Sequence, residues 1–220
     1  MDFETIFRVA SLTILALLPM VNPPTTATLL LGLSKGRTKQ YIASQARLAS
    51  LILFFTLSIT LFIGSSILDI FSISVPSLRL GGGLIIGAIG FGMLFPKPVS
   101  NVETDTPSSI AFVPLTIPSM CGPGTMALII SGAAEIASLP NDVNIPSVYI
   151  GAILGFAGMS MIAWFILSMA YPTLKLLGTN GIDAFTRIMG FLLVCMGVQF
   201  CVNGFTEIYL ELQATLPSVA

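Results

Sequence analysis

The sequence predicts an all-α integral membrane protein of six transmembrane helices, built as two inverted three-helix repeats with helices 1 and 4 broken. Three observations lead there: an apolar composition, six apolar stretches of spanning length, and a break signature that recurs in both halves. Of 220 residues, 55% are hydrophobic and 9% charged, with a mean hydropathy of +0.96. A soluble domain carries roughly 25% charged residues. Several apolar windows reach the roughly 20 residues of a spanning helix, and none shows the short alternating segments of an outer-membrane barrel.

The first span covers residues 6–33 and contains Asn22-Pro23-Pro24-Thr25. Proline lacks the N–H that a helix interior uses and clashes with the carbonyl four residues back, so the helix should break near its middle. The second span, 46–68, is uninterrupted. The third, 78–94, is crowded by Gly81, Gly82, Gly83, Gly87, Gly90 and Gly92. Gly83 and Gly87 have the small-xxx-small spacing that lets membrane helices approach closely, and a smooth face also suits a helix that slides during transport. The fourth, 110–134, breaks at Gly122-Pro123-Gly124-Thr125, and the fifth, 148–170, carries Gly151, Gly155 and Gly158. The sixth covers 185–205. Breaker-rich loops at 34–45, 69–77, 96–109, 135–147 and 171–184 separate the spans.

The halves match. At an offset of 100, Pro23 falls on Pro123, Thr25 on Thr125 and Ala27 on Ala127. At an offset of 108, Arg79-Leu80-Gly81-Gly82-Gly83-Leu84 falls on Arg187-Ile188-Met189-Gly190-Phe191-Leu192. Residues 1–100 and 110–210 therefore read as two repeats within a single membrane domain. Three spans per repeat is odd, so the second copy enters from the opposite side, a geometry common in secondary transporters. Of the 9 basic residues, Lys35, Arg37, Lys39, Arg47, Lys97, Lys175 and Arg187 lie in or beside the first, third and fifth loops, and Arg8 and Arg79 on the other side. The positive-inside rule places those loops in the cytoplasm and both termini outside, in the periplasm of a Gram-negative cell. The start Met1-Asp2-Phe3-Glu4 is acidic where a secretory signal is basic, so the first helix is expected to stay in the protein.

Asn22 reads as an N-cap with Pro23 and Pro24 at the first helical positions. Thr25 and Thr26 then begin a second half-helix whose positive dipole end and unpaired N–H groups suit a carboxylate. Gly122, Pro123, Gly124 and Thr125 repeat the arrangement, with Ser119 just upstream and glycines that admit a ligand close to the backbone. The substrate-binding candidates are thus Asn22, Pro23, Thr25, Thr26, Ser119, Gly122, Pro123, Gly124 and Thr125. A packing kink explains either break alone; two at equivalent positions point to a shared cavity. Arg79 and Arg187, at equivalent helix starts, read first as snorkelling interface anchors and second as gating residues with Asp69 or Asp183 as partners.

The net charge of −1 and the lack of a basic run argue against nucleic acid, or a strongly anionic lipid surface, as a partner. Cys121, Cys195 and Cys201 have no metal or redox spacing, and there is no histidine. Histidine-based metal sites, Ser-His-Asp or Cys-His catalysis and the commonest proton shuttle therefore fall away, and neither an enzyme, a metal nor a cofactor is expected. Glu135 and Glu207 lie near helix ends, so no buried proton relay is visible. The expected partners are a small-molecule substrate and the lipid bilayer.

The stretches Leu17-Leu18-Pro19-Met20-Val21-Asn22-Pro23, Phe112-Val113-Pro114-Leu115-Thr116-Ile117-Pro118 with Gly122-Pro123-Gly124-Thr125, and the run from Arg187 to Phe200 resemble the MarC family over nearly the whole chain. That resemblance implies a six-span bacterial inner-membrane protein. The related SnatA branch implies transport of small neutral amino acids such as glycine and alanine. Many relatives carry Asp-Pro-x-Gly where this chain has Asn22-Pro23-Pro24-Thr25, so a carboxylate that could take a cation or proton there is missing. The expected function is export of a small neutral amino acid or similar metabolite by alternating access around the two breaks. The alternative is a channel-like or structural membrane protein without carrier activity.

Overall fold

Backbone groups in hydrocarbon must be satisfied within their own segment, so apolar runs form helix wherever proline or glycine does not interrupt them. The computed structural model describes residues 3–34, 37–95, 109–137, 139–140 and 144–215. Its helices are α1 (Phe3–Val21), α2 (Pro23–Leu33), α3 (Lys39–Ile70), α4 (Val75–Leu94), α5 (Pro123–Ala137), α6 (Ile145–Ser168) and α7 (Ala170–Thr215), with an irregularly wound segment at Ala111–Met120. Five helices are long and apolar enough to cross a membrane, and Ala111–Met120 with α5, bent by 63°, makes a sixth span. The protein is an all-α integral membrane protein; no strand occurs among the described residues.

Starts are set by side-chain caps. The Tyr41 N–H donates to the Thr38 hydroxyl, that of Ser77 to the Ser74 hydroxyl and that of Ser147 to the Asn144 side-chain oxygen. Each cap satisfies one of the donors that a helix start leaves open.

The structure departs from the expected elements at four places. The Thr38 cap starts α3 at Lys39, well inside the expected loop 34–45. The expected loop 171–184 is helical, because Leu174, Leu176, Leu177 and Ile182 continue an apolar helix that only Gly178, at φ 65° and ψ 172°, interrupts. The first break falls past the middle of its span, with 19 residues before it and 11 after. Before the second break no regular half-helix forms: Val113 and Ile117, each preceding a proline, are extended. The expected central loop 96–109 lies outside the described residues except for Ser109.

Three helix seams hold the bundle. Gly151 packs on Val9, Gly155 on Thr13 and Gly158 on Ile14, so α1 and α6 run in the same direction. Along α3, Gln45 meets Ala111, Ala49 meets Thr116 and Gly64 meets Ile130, again in the same direction. In the third seam α4 and α7 run oppositely, with Gly90 on Gly190, Gly83 on Gly197 and Pro76 on Gly204. The glycines let backbones come closer than any larger residue permits, which strengthens dispersion contacts where lipid supplies no hydrophobic drive. Leu17, Val21, Leu30, Leu53, Leu57, Leu115, Met120 and Phe156 form the central core, while Phe55, Ile59, Phe62, Phe165 and Phe191 face outward.

Candidate functional site

The two breaks come together. Asn22 sits between α1 and α2 in the left-handed region (φ 39°, ψ 64°) and makes no side-chain cap, contrary to the expectation from sequence. That backbone conformation, which asparagine tolerates better than most residues, does not aim the side chain at the first N–H groups of α2. The amide is instead buried, 5% exposed, and neither its nitrogen nor its oxygen has a hydrogen-bond partner. An unsatisfied buried polar atom costs about 1–3 kcal/mol, so a group left in this state normally meets a ligand, water or ion.

Around Asn22 the polar groups of both halves converge. The Thr26 hydroxyl lies 3.3 Å from that of Ser119, directly joining the first break to the second, and is also 3.3 Å from the Asn22 carbonyl. The backbone repeats: the Asn22 carbonyl accepts from the Thr26 N–H at 3.2 Å, and the Gly122 carbonyl accepts from the Met126 N–H at 3.1 Å. α2 begins at Pro23 and α5 at Pro123. Thr125 and Gly122 are buried, whereas Pro123 is exposed, so Pro123 shapes the break from outside. A methyl on Gly122 would lie 3.0 Å from the Pro118 carbonyl oxygen, and one on Gly124 would press on Ile86 at 3.1 Å and reach Met20 at 3.5 Å. Gly124 therefore brings α5 close to α4 and α1.

The start of the irregular segment Ala111–Met120 is capped from α3. Buried Gln45 accepts from the Ile110 and Ala111 N–H groups, both at 3.0 Å, and from the Ser109 hydroxyl at 3.1 Å. The Thr116 hydroxyl lies 2.8 Å from the Ala111 carbonyl and 3.1 Å from that of Ala49. Sequence reasoning placed Gln45 in a loop; a lone amide at the edge of an apolar run was the available signal.

A cleft of about 500 Å³ opens beside the first break, lined by Thr25, Thr28, Thr179, Asp183, Thr186 and Arg187, among others. The Thr25 hydroxyl lies 2.6 Å from that of Thr186, closing the cleft toward the break. Arg187 is exposed and donates to the Leu94 carbonyl at 3.0 Å. Its sequence counterpart behaves differently. Arg79 is 7% exposed and bridges Glu135, at 2.6 Å, and Glu207. It is thus an ion-paired residue buried among α4, α5 and α7, which corrects the reading of a snorkelling anchor and replaces Asp69 or Asp183 as its partner. A second cleft, including Pro76, Ala134 and Glu211, opens over this cluster.

The family of integral membrane proteins described as MarC matches residues 7–209. This chain belongs to the MarC family. A MarC relative from Citrobacter koseri, named UPF0056 inner membrane protein MarC, is 38% identical over 216 residues, covering 92% of this chain and 96% of the relative. Proteins of the same name from Escherichia coli O1:K1 and from strain UTI89 are each 39% identical over 214 residues, with 92% and 96% covered. No solved structure matches the chain. The MarC family thus spans both breaks and all three helix seams.

Proposed function

We propose that this protein is an inner-membrane carrier, not an enzyme, that moves a small neutral amino acid or similar zwitterion outward by alternating access around the two breaks. The observation that carries the reading is the buried, unpartnered amide of Asn22 beside the Thr26–Ser119 contact. A carboxamide offers one donor group and one acceptor, which suits a carboxylate and an ammonium respectively. The cleft beside it carries one carboxylate, Asp183, and one guanidinium, Arg187. One charge of each sign matches a zwitterion better than a net ion.

The inverted repeat is part of the proposal. Spans that alternate in direction put the first and fifth parallel, the second and fourth parallel, and the third and sixth antiparallel. The three seams have those directions, and exchanging the halves turns the first–fifth pair into the fourth–second pair. The two arginines then mark opposite ends, each with a cleft: at one end Arg79 is tied by two carboxylates, and at the other the Thr25–Thr186 contact closes the cleft toward the break. By the distribution of basic residues, the Arg187 end is cytoplasmic and both termini are periplasmic.

Counterflow of labelled glycine and alanine in proteoliposomes tests the reading. Saturable exchange above that of empty vesicles is expected. Flux that rises linearly with concentration indicates a channel, and flux equal to the blank removes transport of these substrates.

A further inference from the structure

Away from the breaks, α3 and α6 leave a groove of about 300 Å³ whose lining includes Arg47, Ser50, Phe54, Ala157, Ser160 and Trp164. It continues toward the start of α3 into a second cleft that adds Gln40, Ser44 and Ser168 while sharing Arg47 and Trp164. The helices run oppositely here, so the residues form successive levels. Gln40, Ser44 and Ser168 stand at the helix ends; Arg47 and Trp164 come next; Ser50 and Ser160 follow; Phe54 and Ala157 lie deepest. At about 1.5 Å per residue, Ser50 is roughly 4–5 Å and Phe54 roughly 10 Å deeper than Arg47.

That order of polarity is the order within a phospholipid: headgroup, phosphate, glycerol ester, acyl chain. Two side chains lack partners that such a lipid would supply. Arg47 is exposed and takes no part in the ion pairs of Arg79. The Ser160 hydroxyl is buried, with the residue 7% exposed, and has no hydrogen-bond partner; an ester oxygen at its level would accept from it. Leu51 and Met161, which also line the groove, are 50% and 66% exposed toward the lipid side. Trp164 lies four residues before the end of α6, and tryptophan is enriched at membrane interfaces.

We propose that this groove is a binding site for one anionic phospholipid, its phosphate on Arg47, its ester region at Ser160 and an acyl chain along Phe54 and Ala157. Arg47 is the single charge in the two linings, so a lipid of net negative charge is preferred over a zwitterionic one. The site is separate from the breaks, and its test does not depend on transport.

Trp164 is the single tryptophan of the chain, so brominated lipids report contact at this place alone. The full chain is reconstituted in phosphatidylcholine vesicles containing either dibrominated phosphatidylglycerol or dibrominated phosphatidylcholine. Half-maximal quenching is expected at about fivefold lower mole fraction for phosphatidylglycerol, the preference that one basic side chain near the surface confers. Arg47→Gln should remove the preference. Lys39→Gln, at the same end but outside both linings, should keep it. Equal quenching of the wild-type protein by the two lipids overturns the proposal, whether or not the variants fold. Equal loss in Arg47→Gln and Lys39→Gln also overturns it, because general attraction to basic loops then accounts for the preference.

Discussion

Asn22 carries an amide that neither half of its broken helix satisfies, and its backbone lies where glycine is at ease. Its counterpart in the second half is Gly122. The Asn22→Gly variant therefore keeps the left-handed conformation while removing two unsatisfied atoms. Thermal unfolding in detergent should show stability unchanged or raised by about 1 kcal/mol, while substrate binding is lost. A destabilised variant would mean that the amide holds the fold and not a ligand. At this scale the sequence was informative about position and not about role. Adjacent prolines mark the break whatever surrounds them, but the cap expected of Asn22 fails because a left-handed residue turns its side chain elsewhere. Arg79 was misread for a related reason: its place at a helix start suggested the interface, and its burial depends on which helix ends meet around it. The Arg79→Gln variant should loosen that meeting. Cysteines introduced at Ala134 and Leu210 should react with a hydrophilic maleimide several-fold faster than in the Arg79 background, since two carboxylates left without their cation repel.

Among the elements, the seam between α4 and α7 gives the sharpest contrast. A methyl on Gly83 would lie 2.6 Å from the Gly197 carbonyl oxygen, and one on Gly197 2.6 Å from that of Gly83, while methyls on Gly81 or Gly92 meet nothing within 4 Å. Gly83→Ala and Gly197→Ala should each cost about 1–3 kcal/mol, the usual range for overpacking. Gly81→Ala and Gly92→Ala should be neutral, and detergent-resistant thermal melts separate the pairs. Gly83, Gly151, Gly155 and Gly158 were legible as contact positions because small residues at helical spacing have few other uses in lipid, whereas a methyl on Gly87, paired with Gly83 by that spacing, would meet nothing within 4 Å. The irregular winding of Ala111–Met120 was not legible. Its hydropathy is that of any span; Pro114 and Pro118 mark the irregularity, and the cap that the distant Gln45 places on the Ile110 and Ala111 N–H groups forms only in the fold.

For the whole molecule, hydropathy fixes six spans because bilayer thickness fixes their length, and this part of the fold was read almost directly. The course of 171–184 was not, since a glycine at left-handed φ can interrupt a helix without ending it. Orientation and pseudo-symmetry make one joint prediction: cysteines introduced at Phe3 and at Gln213 should be labelled by an impermeant maleimide from the periplasmic side, and one at Gln40 should not. Labelling at Phe3 and Gln213 from opposite sides would exclude an even number of spans.

The central claim is that the two breaks form one site for a small zwitterion. Equilibrium binding of labelled glycine to the purified protein tests it, with one variant from each half. Saturable binding to the wild type, with loss of at least tenfold in affinity in both Asn22→Gly and Gly122→Leu while both remain folded, is the predicted result. Wild-type binding that survives unchanged in either folded variant would contradict it.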